Sequence, residues 1–197
     1  MTRATVTGAS GLVGANLVRR LLDAGVEVRA ADLRRSVAID DLDIDFVEVD
    51  VRDATSLAAA FQGADVVFHL AAMISIVGDP TGDVWEVNVG GPANAANAAR
   101  SAGVTRFVHC SSVHAFDLEK CGPSLDETGP RTIGDHAPVY DRSKFAGEQG
   151  LLAAAGDELD VVIVNPTGVI GRHDHTPSRT GETILQLRDR KIPVNVA

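Results

Sequence analysis

The stretch Thr7-Gly8-Ala9-Ser10-Gly11-Leu12-Val13-Gly14 constrains this chain more than any other. A β-type run, Thr5–Thr7, enters it. A helical run leaves it, with Val13, Leu17, Val18, Leu21 and Leu22 on one apolar stripe and Gly25 as its stop. A chain that passes from strand to helix this sharply needs backbone without Cβ at the turn, and the G-x-x-G-x-x-G spacing supplies it. Such a turn lets a pyrophosphate approach the backbone, with its charge on the helix N-terminus. Taken alone, it is also an ordinary strand–helix connection, and its spacing is not the commoner G-x-G-x-x-G. What singles it out is the acid, Asp32, that closes the next β-type run.

That run is one of several. β-type segments at Thr5–Thr7, Glu27–Ala31, Asp45–Val49, Val66–Leu70, Arg106–Cys110 and Val161–Val164 alternate with helical segments at Leu12–Ala24, Ala54–Phe61, Asp83–Ala102 and Val139–Ala155. Alternation of this kind predicts an α/β fold: a doubly wound parallel sheet, covered on both faces, with strand order 3-2-1-4-5-6. The reading places a dinucleotide-binding domain at residues 1–170 and the start of a substrate-binding region at 171–197, with one helix at about Gly181–Arg190. Asp117–Pro138 is polar and rich in Gly and Pro, which reads as a functional loop. Pro92 inside Asp83–Ala102 predicts a kink, or a restart with the proline in a first turn.

Composition narrows the partners. The chain has 197 residues, 45% of them apolar, enough for a packed core. A net charge of −9 argues against a nucleic acid or an anionic membrane as partner. The longest apolar run, Val66–Val77, is broken by His69 and Ser75 and is too short to span a bilayer. Two cysteines, Cys110 and Cys121, give no disulfide framework, and no leader segment precedes the glycine turn; both points suit a cytoplasmic protein.

Tyr140 and Lys144, in VYDRSKFAGEQ, stand at i and i+4 on a predicted helix and share a face. An ammonium beside a phenol favours the phenolate, so the pair can move a proton to or from a carbonyl or alcohol oxygen. Ser111-Ser112 and Asn165-Pro166 fall at the carboxyl ends of predicted strands, the rim where such sheets bind ligands. Asp32 suits the ribose hydroxyls of NAD and repels a 2′-phosphate, whereas Arg34 and Arg35 could pair with one; NAD is the expected cofactor, with NADP as the alternative. Asp50-Val51 could bracket an adenine, although Asp53 is the better helix cap. His173-Asp174-His175 has no accompanying Cys/His cluster and reads as loop, so no metal is expected. His69 and His109 read as satisfied core or rim groups, and His114 as a candidate for substrate contact.

Taken in order, these motifs resemble the extended short-chain dehydrogenase/reductase superfamily, the NAD-dependent epimerase/dehydratase group with its Rossmann fold. VYDRSKFAGEQ, VVIVNPTGVIGRHD and GETILQLRDRKIP look most like its dihydroflavonol-reductase-like branch, which includes hopanoid-associated sugar epimerases. The resemblance implies Gly8, Ser10, Gly11, Leu12, Val13 and Gly14 at the pyrophosphate, and Asp32, Leu33 and Arg34 at the adenosine ribose. It implies Asp50 and Val51 at the adenine. Leu70, Ala71, Ala72, Cys110 and Ser111 would line the cofactor, and Asn165, Pro166 and Thr167 would lie at its nicotinamide end. Tyr140 would be the general acid/base, with Lys144, Ser112 and Asn88 completing the catalytic set. The implied function is NAD(P)-dependent oxidation, reduction or epimerisation at a carbonyl or secondary alcohol of a small molecule, in a homodimer paired through helices Asp83–Ala102 and Val139–Ala155. A non-catalytic dinucleotide sensor is the alternative. The chain departs from the family at Pro92, where threonine is usual, and at Phe116, where a tyrosine is common. Family members run well past 300 residues; measured against them this chain would stop before the last core strand and most of the substrate-binding domain, as a fragment or as a naturally short protein.

Overall fold

A computed structural model describes residues 1–191. The elements run β1 (Arg3–Thr7), α1 (Leu12–Asp23), β2 (Glu27–Asp32), β3 (Asp45–Glu48), α2 (Ala54–Phe61), β4 (Val66–His69), α3 (Asp83–Trp85), a π-helical segment (Glu86–Gly90), α4 (Gly91–Ser101), β5 (Arg106–Cys110), α5 (Val139–Ala155), β6 (Asp160–Val164) and α6 (Arg179–Arg188). All six strands are parallel, in the order β3-β2-β1-β4-β5-β6. The order reverses between β1 and β4, so the carboxyl ends of these two strands open the crevice where such sheets take ligands.

Two cores flank the sheet. On one face Leu57, Phe61, Val67, Phe107 and Leu151 are buried beneath α2, α4 and α5. On the other, Val6, Ala15, Val18, Val28 and Ile39 are buried beneath α1. Of the apolar stripe of α1, Val18 is buried and Leu17, Leu21 and Leu22 pack against this core, whereas Val13 is exposed in the cleft. Cover is incomplete at β6: Val162 and Val164 are 39% and 42% exposed, while Val161 and Ile163 pack on the first core.

At Pro92 the helix restarts with the proline in a first turn, the second of the two expected outcomes. It reaches that turn through a π-helical segment, in which the Gly91 N–H donates to Glu86 O. Proline has no N–H to return to the carbonyl four residues back, so the Asn88 oxygen loses its α-helical partner. Gly147 of α5 sits against that oxygen: a Cβ there would lie 2.1 Å from Asn88 O. The small residues of α5 thus serve a close crossing of the two helices.

The buried histidines differ from expectation. His69 Nδ1 pairs with Thr7 Oγ at 2.9 Å, but His69 Nε2 and both ring nitrogens of His109 lack a partner among the described residues. The rings stack 5.4 Å apart, and burial keeps both neutral, pushing the His69 pKa down to about 3.

Replacing Gly147 by Ala forces α5 off the helix carrying Asn88. The expected loss is about 1–3 kcal/mol of unfolding free energy in urea titration, the usual cost of overpacking. An unchanged midpoint would show that the helices part without cost.

Candidate active site

The glycine turn is built by close approach. Gly8 has φ +67°, and a Cβ on it would lie 2.7 Å from Ala71 N; a Cβ on Gly14 would lie 2.1 Å from Gly8 O. Only glycine lets the start of α1, the end of β1 and the Leu70–Ala72 segment come this near. Gly11, the N-cap, makes no side-chain cap bond, and no acidic residue occupies the first turn of α1. The first intrahelical bond is Ala15 N–H to Gly11 O, at 2.9 Å, so the amides of Leu12, Val13 and Gly14 precede the helical ladder. This is a cradle of N–H donors shaped for an anion, and it fits a dinucleotide pyrophosphate.

Asp32 braces the turn from β2. Its carboxylate accepts from Ser10 N–H at 2.9 Å and Leu33 N–H at 2.8 Å. Burial raises its pKa, against those two hydrogen bonds and Arg34. Arg35 is engaged elsewhere: its guanidinium donates to Ile39 O and Leu42 O and pairs with Asp40 at 3.4 Å. Arg34 is exposed beside the turn, and its carbonyl accepts from Ser10 Oγ at 2.8 Å.

A cleft of about 1000 Å³ gathers most of the candidate residues. The turn contributes Gly8, Gly11, Leu12, Val13 and Gly14, and the end of β4 contributes Leu70 and Ala72. Cys110, Ser111 and Ser112 line it after β5, Tyr140 and Lys144 from α5, and Pro166 and Thr167 after β6. Ser10, Asp32, Leu33, Arg34, Asp50, Val51, Ala71, Asn88 and Asn165 are not in its wall. Of these, Asp50 pairs with Arg52 at 2.7 Å, and Val51 is buried under Gly91. The amide of buried Asn88 is fully engaged: it accepts from Met73 N–H at 2.8 Å and donates to Met73 O at 2.9 Å and Ser143 Oγ at 3.0 Å.

Tyr140 and Lys144 share a face of α5, as their spacing predicts, but their electrostatics differ from expectation. Burial raises the phenol pKa, only partly offset by the nearby Ser112 hydroxyl. The Lys144 ammonium, 2% exposed, donates instead to Cys110 O at 3.1 Å, and burial lowers its pKa to about 8. Desolvation works against both charged forms here. At neutral pH the phenol therefore holds its proton, the form that donates to a carbonyl oxygen.

The structure places His114, the candidate for substrate contact, in the cleft wall and adds Glu148, which the sequence reading passed over. His114 Nδ1 stands 3.3 Å from Asp141 Oδ2 and its ring meets Tyr140 edge-on, with centroids 5.8 Å apart, in the cleft wall. Glu148, at i+4 from Lys144, is buried against Arg131 and Asn165. That spacing was the available signal. Asn165 donates to Ser112 O at 3.0 Å, so its amide reaches the Ser112 turn. Asp174 accepts from the N–H and Oγ of Ser178, the N-cap of α6, both at 2.8 Å, and no cluster able to hold a metal occurs among the described residues.

Fold and cleft together define a doubly wound dinucleotide-binding protein with a Ser-Tyr-Lys site. The chain belongs to the NAD dependent epimerase/dehydratase family, whose model matches residues 4–193. It is 39% identical to a putative dihydroflavonol 4-reductase of Synechocystis, over 97% of this chain and 56% of that protein. It is 43% identical to a UDP-glucose 4-epimerase of Mycolicibacterium smegmatis, over 96% of this chain and 65% of that one. A short-chain dehydrogenase/reductase superfamily protein from Agrobacterium tumefaciens, crystallised with bound NAD, superposes with a TM-score of 0.71 at 30% identity, covering 83% of this chain and 48% of that one. The chain thus spans about half to two-thirds of the length of these relatives. Among the described residues no helix is long and apolar enough to cross a membrane.

Lys144 gives a stability test with a definite sign. Its folded pKa of about 8 lies below the ordinary value of 10.5, so the unfolded chain binds the extra proton between these limits. Wild-type stability should gain on Lys144→Met as pH rises from 8 to 10, compared by urea melts at both ends. A constant difference would place the ammonium in solvent.

Proposed function

We propose that this chain is the dinucleotide-binding and catalytic part of an NAD-dependent oxidoreductase or epimerase acting on a carbonyl or secondary alcohol. The observation that carries this reading is the convergence of Ser112, Tyr140 and Lys144 on one cleft with the N-terminus of α1. NAD suits Asp32, which carries its carboxylate beside the turn, and Arg35, whose guanidinium is tied to Ile39 and Leu42. The Agrobacterium relative with NAD bound supports the same choice.

The chain's residues divide the work. The Leu12, Val13 and Gly14 amides would hold the pyrophosphate, and Asp32 would take the ribose hydroxyls while bracing Ser10. Lys144, anchored on Cys110 O, presents its ammonium to the second ribose. Ser112 holds the substrate oxygen by hydrogen bond, and Tyr140 gives that oxygen a proton in reduction or takes one in oxidation. Bound NAD supplies hydride acceptance and donation at the adjacent carbon. Substrates in range are a sugar nucleotide or a small ketone, as the epimerase and reductase relatives suggest. The Asn88 amide, committed to Met73 and Ser143, contributes by fixing the segment after β4.

We also infer a homodimer, paired through α4 and α5. Asn97 of α4 and Leu152 and Ala153 of α5 are exposed on these helices, and Leu152 is a large apolar side chain among them. Solution scattering should give twice the chain mass; a monomer mass at micromolar concentration would contradict it.

Tyr140→Phe should keep NADH affinity within about twofold and lower kcat by about 10²–10⁴, the range for losing a general acid. Turnover on a panel of ketones and sugar nucleotides, with NADH binding followed by fluorescence, gives both numbers. A kcat equal to wild type would remove Tyr140 from the chemistry.

A further inference from the structure

The geometry points to Glu148 as the positioning residue that locks the Ser112 turn to the helix carrying Tyr140 and Lys144. This inference rests on the proposed function above, in which Ser112 and Tyr140 act on one oxygen. The two residues come from separate parts of the fold. Ser112 follows β5, and Tyr140 opens α5 after the long loop. Something must fix their separation to within a fraction of an ångström.

Glu148 does so with both carboxylate oxygens. Its side chain is 3% exposed. Oε1 accepts from Asn165 Nδ2 at 2.7 Å, and the same amide donates to Ser112 O at 3.0 Å. Oε2 accepts from Arg131 Nη1 at 3.1 Å. The Arg131 guanidinium lies 3.8 Å over the Phe116 ring, and Arg131 bridges Phe116 through the backbone. The next residue, Thr132, returns to the same turn through Ala115 O at 3.0 Å and His114 O at 3.1 Å. The segment after β5, the long loop and the end of β6 therefore meet at a single buried carboxylate on α5. A buried carboxylate is costly unless fully hydrogen-bonded, so each link holds only while the others do. Removing Glu148 takes from Asn165 and Arg131 the carboxylate they share, and leaves the Asn165 amide that holds the Ser112 carbonyl no longer anchored to α5.

The test compares Glu148→Ala, Glu148→Gln and Asn165→Ala in the full chain. Hydrogen exchange needs no substrate, so it stands apart from the proposed function. In Glu148→Ala the amides of Ser111, Val113 and Ala115 should exchange at least about tenfold faster, while those of β1–β3 keep the wild-type rate. With a substrate in hand, kcat should fall at least about tenfold, KM and NADH affinity should stay within about threefold, and Glu148→Gln, which retains an acceptor for Asn165, should recover part of kcat. The double variant Glu148→Ala/Asn165→Ala should be no slower than the worse single one, because one unit is lost either way. Unchanged exchange in the Ser112 segment, a uniform rise across the sheet, or additive losses in the double variant would overturn the assignment. If the alanine variant does not fold, Glu148→Gln and Asn165→Ala decide it by the same exchange pattern. A wild-type protein silent on every substrate would remove the proposed function and leave the exchange result to judge the lock.

Discussion

Everything at the carboxyl edge of this sheet depends on how near α1 comes to β1 and β4. Gly14 would carry a Cβ 2.1 Å from Gly8 O, and Gly8 one 2.7 Å from Ala71 N. No side chain fits in those spaces, so the helix start, the turn and the Leu70–Ala72 segment meet backbone to backbone. This contact leaves the amides of Leu12, Val13 and Gly14 bare at the floor of the cleft, and Asp32 stiffens the turn from its other side.

The second constraint is desolvation. Lys144 and Glu148 stand one helical turn apart, and both are buried, at 2% and 3% exposure. The protein holds the ammonium with a backbone carbonyl, Cys110 O, and the carboxylate with Arg131 and Asn165. Glu148 also raises the Lys144 pKa against the larger lowering by burial. The neutral His69–His109 stack lies close enough for the Lys144 charge to depress both ring pKa values. The reactive edge is thus a low-dielectric place where each charge has a named neighbour, which is where side chains act on a substrate most strongly.

Much of this was legible in the linear chain. The glycine turn, the strand–helix alternation and the Tyr140/Lys144 spacing follow from local rules of backbone freedom and side-chain period, and the sheet order and cleft agree with them. The Asp83–Ala102 reading placed Pro92 in a first turn as one of its alternatives, and the structure has it there, but the π-helical segment Glu86–Gly90 ahead of it carried no signal in the spacing. Asp50, expected at an adenine, pairs with Arg52, an engagement that spacing does not reveal.

The sequence by itself determined the elements, their parallel order and which residues reach the sheet's carboxyl edge, since these rest on local propensities and apolar periodicity. Tertiary structure alone decided the protonation preferences and the division of labour there. The spacing of Tyr140 and Lys144 predicted a phenol made acidic by its neighbour; burial of both produced a protonated phenol and a weakened ammonium instead. Asn88, on a helix, and Asn165, at a strand end, are both candidate site amides in sequence, but one is tied to Met73 and Ser143 and the other joins Ser112 to Glu148. Desolvation and hydrogen-bond partnership arise from groups far apart in the chain, and so they exist only once it has folded.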